Sequence, residues 1–367
     1  MSLRKQPRQP EQLGSLALFS ALDEWDGVRS LQDLERQQAA LEKVRHGLTA
    51  SLGNEARLHG WRVQALFEAL VVELGAVQMV KIEDEGDLYY EGEGEMKLPD
   101  FRLAVAGSPP LLVEVKNVDP ENLTARIAES ELDALERYGV SQGARLLIAH
   151  YWAKGNMWTL VDAGVLDRDA GSARIELPTA MKANEFRLLG DAMLATTPPL
   201  TLRLQADPEK SRWLGPEREG EREAQITIAA TAIVAGGRRI TDPVEQRIAS
   251  ALMFFGGWDF EQTLASSGER IEGIDLVFRP AEPPEDANTS DECRIVASLS
   301  SIYSASFNHA TLNAEGRVAG LRREPDPGSL GGLVPADYWG RQDRQLRLWR
   351  FELFPSLGPQ AVDRQPR

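Results

Sequence analysis

Apolar residues recur along the first 75 positions at intervals of three and four, which is the helical period. Leu31, Leu34, Leu41, Val44 and Leu48 mark a helix from about Ser30 to Leu48, with QDLERQQ and EKVR supplying an exposed polar face. This helix is expected to pack on the domain behind it, a dimerising role being the alternative. A second helix reads from Asn54 to Leu74, with Gly75 placed to end it. Leu58, Val63, Leu66, Phe67, Leu70, Val71 and Leu74 cover most of its circumference. Two narrow polar stripes remain, Arg57, Gln64 and Glu68 on one and Glu55, Arg62 and Glu73 on the other. Carboxylates kept on a mostly buried helix call for a partner, because an unpaired buried charge is costly.

The period then shortens to two. VQMVKI (77–82), DLYY (87–90), FRLAV (101–105) and LLVEVKNV (111–118) read as strands, the last two joined by a turn at Gly107–Pro110. Residues 121–138 read as a helix, with Leu123, Ile127, Leu135 and Tyr138 on one side. ARLLIAHYW (144–152) and MWTLVD (157–162) are further strands, and the order gives an α/β layered class. Beyond about residue 190 the pattern changes. LTLRLQA (200–206), QITIAATAIVA (225–235), IDLVF (274–278) and RIVASLSSI (294–302) are strand-like, and a helix is expected from Asp242 to Phe260. This order echoes the first half, with Ala297-Ser298-Leu299 standing where Glu114-Val115-Lys116 stand, as a degenerate second copy would place them. Three regions follow: an N-terminal helical segment (1–50), an α/β domain (51–190) and a second, α+β domain (191–367).

Composition narrows the class. Across 367 residues, 42% hydrophobic and 26% charged is the balance of a globular protein with room for two domains. No apolar run approaches the roughly 20 residues that span a bilayer, and MSLRKQPRQPEQ leads into no signal-peptide core. A single cysteine, Cys293, excludes an intrachain disulfide and a cysteine-rich zinc site, so a cytoplasmic protein without a membrane partner is expected. The net charge of −15 opposes non-specific attraction to nucleic acid. It leaves open a site that holds divalent cations, whose ligands are themselves carboxylates. His46, His59, His150 and His309 show no ligand spacing, and no GxxxxGK[ST] loop is present. Arg341, Arg344, Arg347 and Arg350, interleaved with Leu348, Trp349 and Phe351, read either as a nucleic-acid surface or as an amphipathic strand with solvated arginines.

The chemistry concentrates between Lys97 and Lys116. Strand alternation puts Glu114 and Lys116 on one face and Val115 on the other. A hairpin of FRLAV with LLVEV sets Asp100 beside Glu114. Two close carboxylates repel unless something compensates, and a divalent cation is the usual compensation. Asp100, Glu114 and the backbone carbonyl of Val115 suit Mg²⁺ (or Mn²⁺). Lys116 is then placed to orient or deprotonate the attacking water and to offset phosphate charge. Arg102, Asn117 and Arg126 are candidates for contacts to substrate phosphates, although solvated arginines are the commoner case.

Pro99-Asp100, then Glu114-Val115-Lys116 at hairpin distance, preceded by a helix carrying Phe67-Glu68, resembles the PD-(D/E)XK nuclease superfamily over residues 54–162. The resemblance implies a restriction-endonuclease-like three-layer core of helix, three strands, helix and strand. It implies Asp100 and Glu114 as metal-binding acids, Lys116 as the family's lysine and Glu68 as a further acid on the first helix, with Glu73 as its competitor. The implied activity is metal-dependent hydrolysis of DNA phosphodiesters by in-line attack of metal-activated water, with DNA placed ahead of RNA. The alternative is a catalytically inactive nuclease-fold module for binding or assembly. Residues 1–50 or 191–367 are then the candidate surfaces for a homodimer or a partner protein. Only eight lysines occur in this arginine-rich chain, and one stands where an amine is required; arginine cannot lose its proton.

Overall fold

Two helices, α1 (Ser15–Leu22) and α2 (Leu34–Leu52), precede the helix on which the first half is built, α3 (Glu55–Leu74). Asn54 starts α3 by accepting the Arg57 N–H at 3.0 Å, and Gly75 ends it in the left-handed region (φ 72°). The computed structural model describes residues 3–5, 15–22, 30, 32–83, 88–215, 222–280 and 294–356. On α2 the expected packing stripe is turned outward: Leu34, Leu41 and Leu48 are exposed, and Arg36 and Ala40 are buried instead.

After α3 come β1 (Met79–Ile82), β2 (Phe101–Ala104), β3 (Leu111–Val118), β4 (Thr124–Ala128), α4 (Glu129–Ser141), β5 (Arg145–Trp152) and β6 (Met157–Asp162). Then follow β7 (Asp167–Asp169), β8 (Ser172–Glu176) and α5 (Leu177–Lys182). A central sheet runs β1-β2-β3-β5-β6, with β3 and β5 parallel and the other neighbours antiparallel. Alternation sends Val113, Val115, Leu147 and Ala149 into the cluster containing α3. It sends Leu112, Leu146 and Ile148 into the cluster containing α4. The arrangement is mixed α/β, with helices on both faces of the sheet.

Two expectations fail in this half. Leu88–Tyr90 form no strand. Residues 121–138 are not one helix: Ala125 and Ile127 are buried and Arg126 between them is exposed, a strand period, because β4 pairs antiparallel with β8. The helix proper begins at Glu129, and Leu123 is exposed.

The second half contains β9 (Met193–Thr196), β10 (Leu200–Ala206), β11 (Arg212–Trp213), β12 (Ala224–Gln225), β13 (Ile228–Ala235), β14 (Arg238–Ile240) and α6 (Pro243–Phe255). It closes with β15 (Trp258–Ser267), β16 (Arg270–Pro280), β17 (Arg294–Ser298), α7 (Leu299–Thr311) and β18 (Leu348–Phe351). One antiparallel sheet runs β14-β13-β10-β16-β15, and β9 lies between β17 and β18 in another. The helix expected to Phe260 stops at Phe255, and the chain turns at Gly256 into β15. RIVASLSSI is strand only to Ser298. There the Ser298 hydroxyl accepts the Ser301 N–H and the Ser301 hydroxyl accepts the Ser298 N–H, a reciprocal cap that starts α7. The element order α6, β15, β16, β17, α7 echoes the first half, but β17 pairs with β9 and not with β16, whereas β3 pairs with β2, so the sheet order is not repeated. Among the described residues no helix is long and apolar enough to cross a membrane.

The hydrophobic cluster does not stop at residue 190. Val63, Phe67 and Val113 share it with Ile302, Phe307 and Leu348, and α7 packs on α3. The end of α3 is also clasped from the second half. Glu73 accepts the Asp326 N–H at 2.9 Å and the Ser329 hydroxyl, and Gly328 donates to the Val72 carbonyl at 3.0 Å. A Cβ on Gly331 would stand 2.2 Å from the Leu74 carbonyl oxygen, so only glycine fits that approach.

Asp191 ties β9 to the start of α7. It accepts the Ser300 N–H at 2.9 Å, the Ala192 N–H at 3.0 Å and the Ser300 hydroxyl at 2.6 Å. Desolvation pushes it up to about 6 against those donors. The native state therefore holds this proton more tightly than the unfolded chain, and ionising Asp191 costs stability above about pH 6. Asp191→Asn should gain on wild type above pH 6 by an amount on the order of 1 kcal/mol. The gap should close as pH falls from about 6 to about 4, which paired thermal melts would show; a gap independent of pH would refute the assignment.

Candidate active site

The β2–β3 register places Phe101 opposite Val113, which sets Asp100 opposite Glu114. The pairing of β2 ends there. The Val115 N–H, left without a strand partner on that edge, donates to Asp100 Oδ2 at 2.7 Å. The N–H and C=O of one residue share an edge of the strand, so the Val115 carbonyl opens onto the same gap. From α3, Gln64 Nε2 donates to Asp100 Oδ1 at 2.6 Å.

Glu114 and Lys116 face α4 with the buried Leu112 and Val118. Glu114 is only 3% exposed, and its Oε1 accepts Lys116 Nζ at 2.8 Å and Lys97 Nζ at 3.1 Å. Both ammonium groups also reach Glu131 in the first turn of α4, Lys116 at 3.0 Å and Lys97 in a shorter contact. His150 on β5 is paired in register with Lys116.

Desolvation, and then repulsion from Glu114, push Asp100 up to about 7, although the Val115 N–H and the two lysines pull the other way. Burial would raise Glu131 as well, but hydrogen bonds from Lys97 and Lys116 hold it below the usual carboxylate range. Burial and the Lys116 charge drive His150 down to about 3, so its ring is neutral. Two buried polar atoms lack a hydrogen-bond partner here, His150 Nδ1 and Glu114 Oε2. A buried carboxylate oxygen with no donor is expensive. Together with Asp100 and the Val115 carbonyl it makes a hard-oxygen set that suits a small divalent cation.

The fold thus brings Asp100, Glu114, Val115 and Lys116 together. It does not bring Glu68, which lies one turn beyond Gln64 on α3 and faces Arg322 at 3.7 Å. Gln64 takes the place facing Asp100 that the resemblance assigned to a helix acid. Glu73 is committed to the clasp on 326–329. Arg102 is held by Glu83 at 2.7 Å, Gln142 at 3.1 Å and the Tyr138 hydroxyl at 3.3 Å, and so braces β2 against α4. Asn117 and Arg126 are exposed, and neither bonds to the cluster among the described residues. Among those residues no group of three or more His, Cys, Asp or Glu could hold a metal ion, so a cation would rely on two carboxylates, a carbonyl and water. Cys293 lies outside the described residues.

Gln64, Lys97 and Glu131 were not anticipated as members of the site. Gln64 shared a polar stripe with Glu68, and Lys97 stood three residues before Asp100, so both carried a signal. Glu131 was hidden by reading 121–138 as a single helix.

No protein-family model matches the chain, and neither does any curated protein. Among solved structures, the chain is similar to Hjc, a Holliday junction resolvase from the archaeal hyperthermophile Archaeoglobus fulgidus. The identity is 16% and the TM-score 0.29, over 36% of this chain and 96% of that one.

Proposed function

We propose that the cluster of Asp100, Glu114 and Lys116 hydrolyses phosphodiester bonds in DNA, in a restriction-endonuclease-like domain that depends on Mg²⁺ or Mn²⁺. The observation that carries this reading is the buried, unpartnered Oε2 of Glu114 opposite an Asp100 pushed up to about 7, with an ammonium group alongside. The order α3, β1, β2, β3, α4, β5, with β4 inserted before α4 and paired outside the central sheet, supports it, being the order the sequence resemblance implies. Asp100, Glu114 and the Val115 carbonyl would hold the cation, which when bound polarises the scissile phosphate and acidifies water. Gln64 fixes the rotation of Asp100. Lys116, held between Glu114 and Glu131, would set its charge against the charge developing on the phosphate. His150 is buried and neutral and takes no proton.

One observation favours the non-catalytic alternative. Lys97 and Lys116 already oppose Glu114 and Glu131, so the cluster is close to neutral without a cation. Cleavage of linear, circular and single-stranded DNA with Mg²⁺ or Mn²⁺ separates the two readings. Wild type should cut only with metal, and Asp100→Asn and Glu114→Gln should abolish cutting. A wild-type protein inert on DNA and RNA, with no heat of Mn²⁺ binding, would leave the scaffold.

Cation binding must also displace the proton that Asp100 holds below about pH 7. Mn²⁺ affinity by calorimetry should therefore rise about tenfold per pH unit up to about 7 and level off above it. An affinity flat from pH 5.5 to 8.5 would remove Asp100 from the ligand set.

A further inference from the structure

β18 is an edge strand of its sheet, and a groove of about 1110 Å³ runs beside it. Arg344, Arg347, Arg350, Trp339, Trp349 and Phe351 line it. Arg341, also at the groove, is committed to Asp337 and Asp242. Arg344, Arg347 and Arg350 make no ion pair among the described residues, and Glu352 is the one carboxylate in the lining. Arg350 alternates inward with Leu348, half-buried, and its charge acts on Asp191, so the cations that a chain of net charge −15 turns outward along this groove are Arg344 and Arg347.

The aromatic residues are placed with equal regularity. Leu346 and Leu348 are buried, and alternation turns Arg347, Trp349 and Phe351 outward. Trp349 is 37% exposed, Phe351 43% and, just beyond, Phe354 68%. Stacking of cations on rings already occurs here: the Arg187 guanidinium lies 4.4 Å from the Phe354 ring centre and that of Arg344 lies 5.6 Å from Tyr338.

We propose that this groove binds a single strand of DNA, Arg344 and Arg347 following its phosphates and Trp349, Phe351 and Trp339 stacking on its bases. Outward aromatic faces between cations fit unstacked bases, which a duplex keeps inside its own stack. The choice of DNA over RNA rests on the nuclease reading above; the preference for a single strand rests on the groove alone.

The test is fluorescence anisotropy of the full chain with labelled (dT)20, its duplex form and (rU)20, in EDTA so that no cutting intervenes. Wild type should bind (dT)20 most tightly. R344Q/R347Q should weaken binding at least tenfold and lower the slope of log K against log salt by about 1.4, at about 0.7 per phosphate contact. Trp349→Ala should weaken it about tenfold or more. Asp100→Asn and Glu114→Gln should bind as wild type does, so loss of cleavage and loss of strand binding are told apart. The arginine variants alter exposed side chains and should melt as wild type does. The proposal is overturned if wild type does not bind (dT)20, if R344Q/R347Q binds it unchanged, or if duplex or (rU)20 is preferred. Self-association that R344Q/R347Q abolishes would overturn it in favour of a second copy on the β18 edge.

Discussion

Replacing Lys116 with methionine should lower the single-turnover rate of DNA cleavage by about 10²- to 10³-fold, which is the size of effect seen when one preorganised electrostatic donor is removed. The prediction depends on the site surviving the change. Methionine keeps most of the apolar stem and removes the ammonium group, its charge and its donors together. Glu114 and Glu131 both retain Lys97, at 3.1 Å for Glu114, so neither carboxylate is stranded and the melting temperature should move little. Lys116→Arg should not rescue the rate, because a planar guanidinium cannot take the position of a compact ammonium. Lys97→Met should cost less than tenfold. Lys97 sits on irregular chain and its side chain is 43% exposed, against 24% for Lys116, which projects from a strand paired along its length with β5. A larger loss at Lys97 would exchange the two roles, and no loss at either would make both lysines structural.

Phe67→Ala should destabilise the protein by about 3–5 kcal/mol, the range for truncating a buried aromatic side chain. Phe67 has no exposed surface, and its ring centre lies 5.2 Å from that of Phe101, 5.6 Å from Trp158 and 6.2 Å from Phe186. Those neighbours come from β2, β6 and the segment after α5, so they cannot all collapse into the space. Phe101 follows Asp100 in the chain and Phe67 lies close after Gln64, so the same cavity loosens both partners of the bond that fixes Asp100. Denaturant unfolding measures the loss; a value under 1 kcal/mol would mean the aromatic group repacks freely.

The elements that were legible in the sequence are those specified by neighbouring residues. Asn54 and Gly75 bound α3 through their own caps, and β3, β6 and β10 follow directly from apolar runs bounded by turns. Residues 124–128 were misread because their strand state comes from pairing with β8, almost fifty residues later, while Leu123 and Ile127 stand four apart, at helical spacing. The start of α7 was concealed in the same way, since Ser298 and Ser301 cap a helix inside a run that reads as strand. The convergence of Asp100, Glu114 and Lys116 was readable because a hairpin and a two-residue alternation are local geometry. Whether Gln64 or Glu68 meets Asp100 is a matter of one helical turn, about 5.4 Å. That depends on how far α3 slides along the sheet, which tertiary packing decides.

The clasp on the end of α3 has a consequence for inheritance as well as for stability. Residues 326–331 hold the last turn of the helix that carries Gln64, and α7 covers the face that Val63 and Phe67 share with Phe307. A gene fragment ending near residue 190 would still encode Asp100, Glu114 and Lys116. It would not encode the wall and the latch that keep α3 in place, so this cluster cannot be passed on by itself as a transplantable cassette.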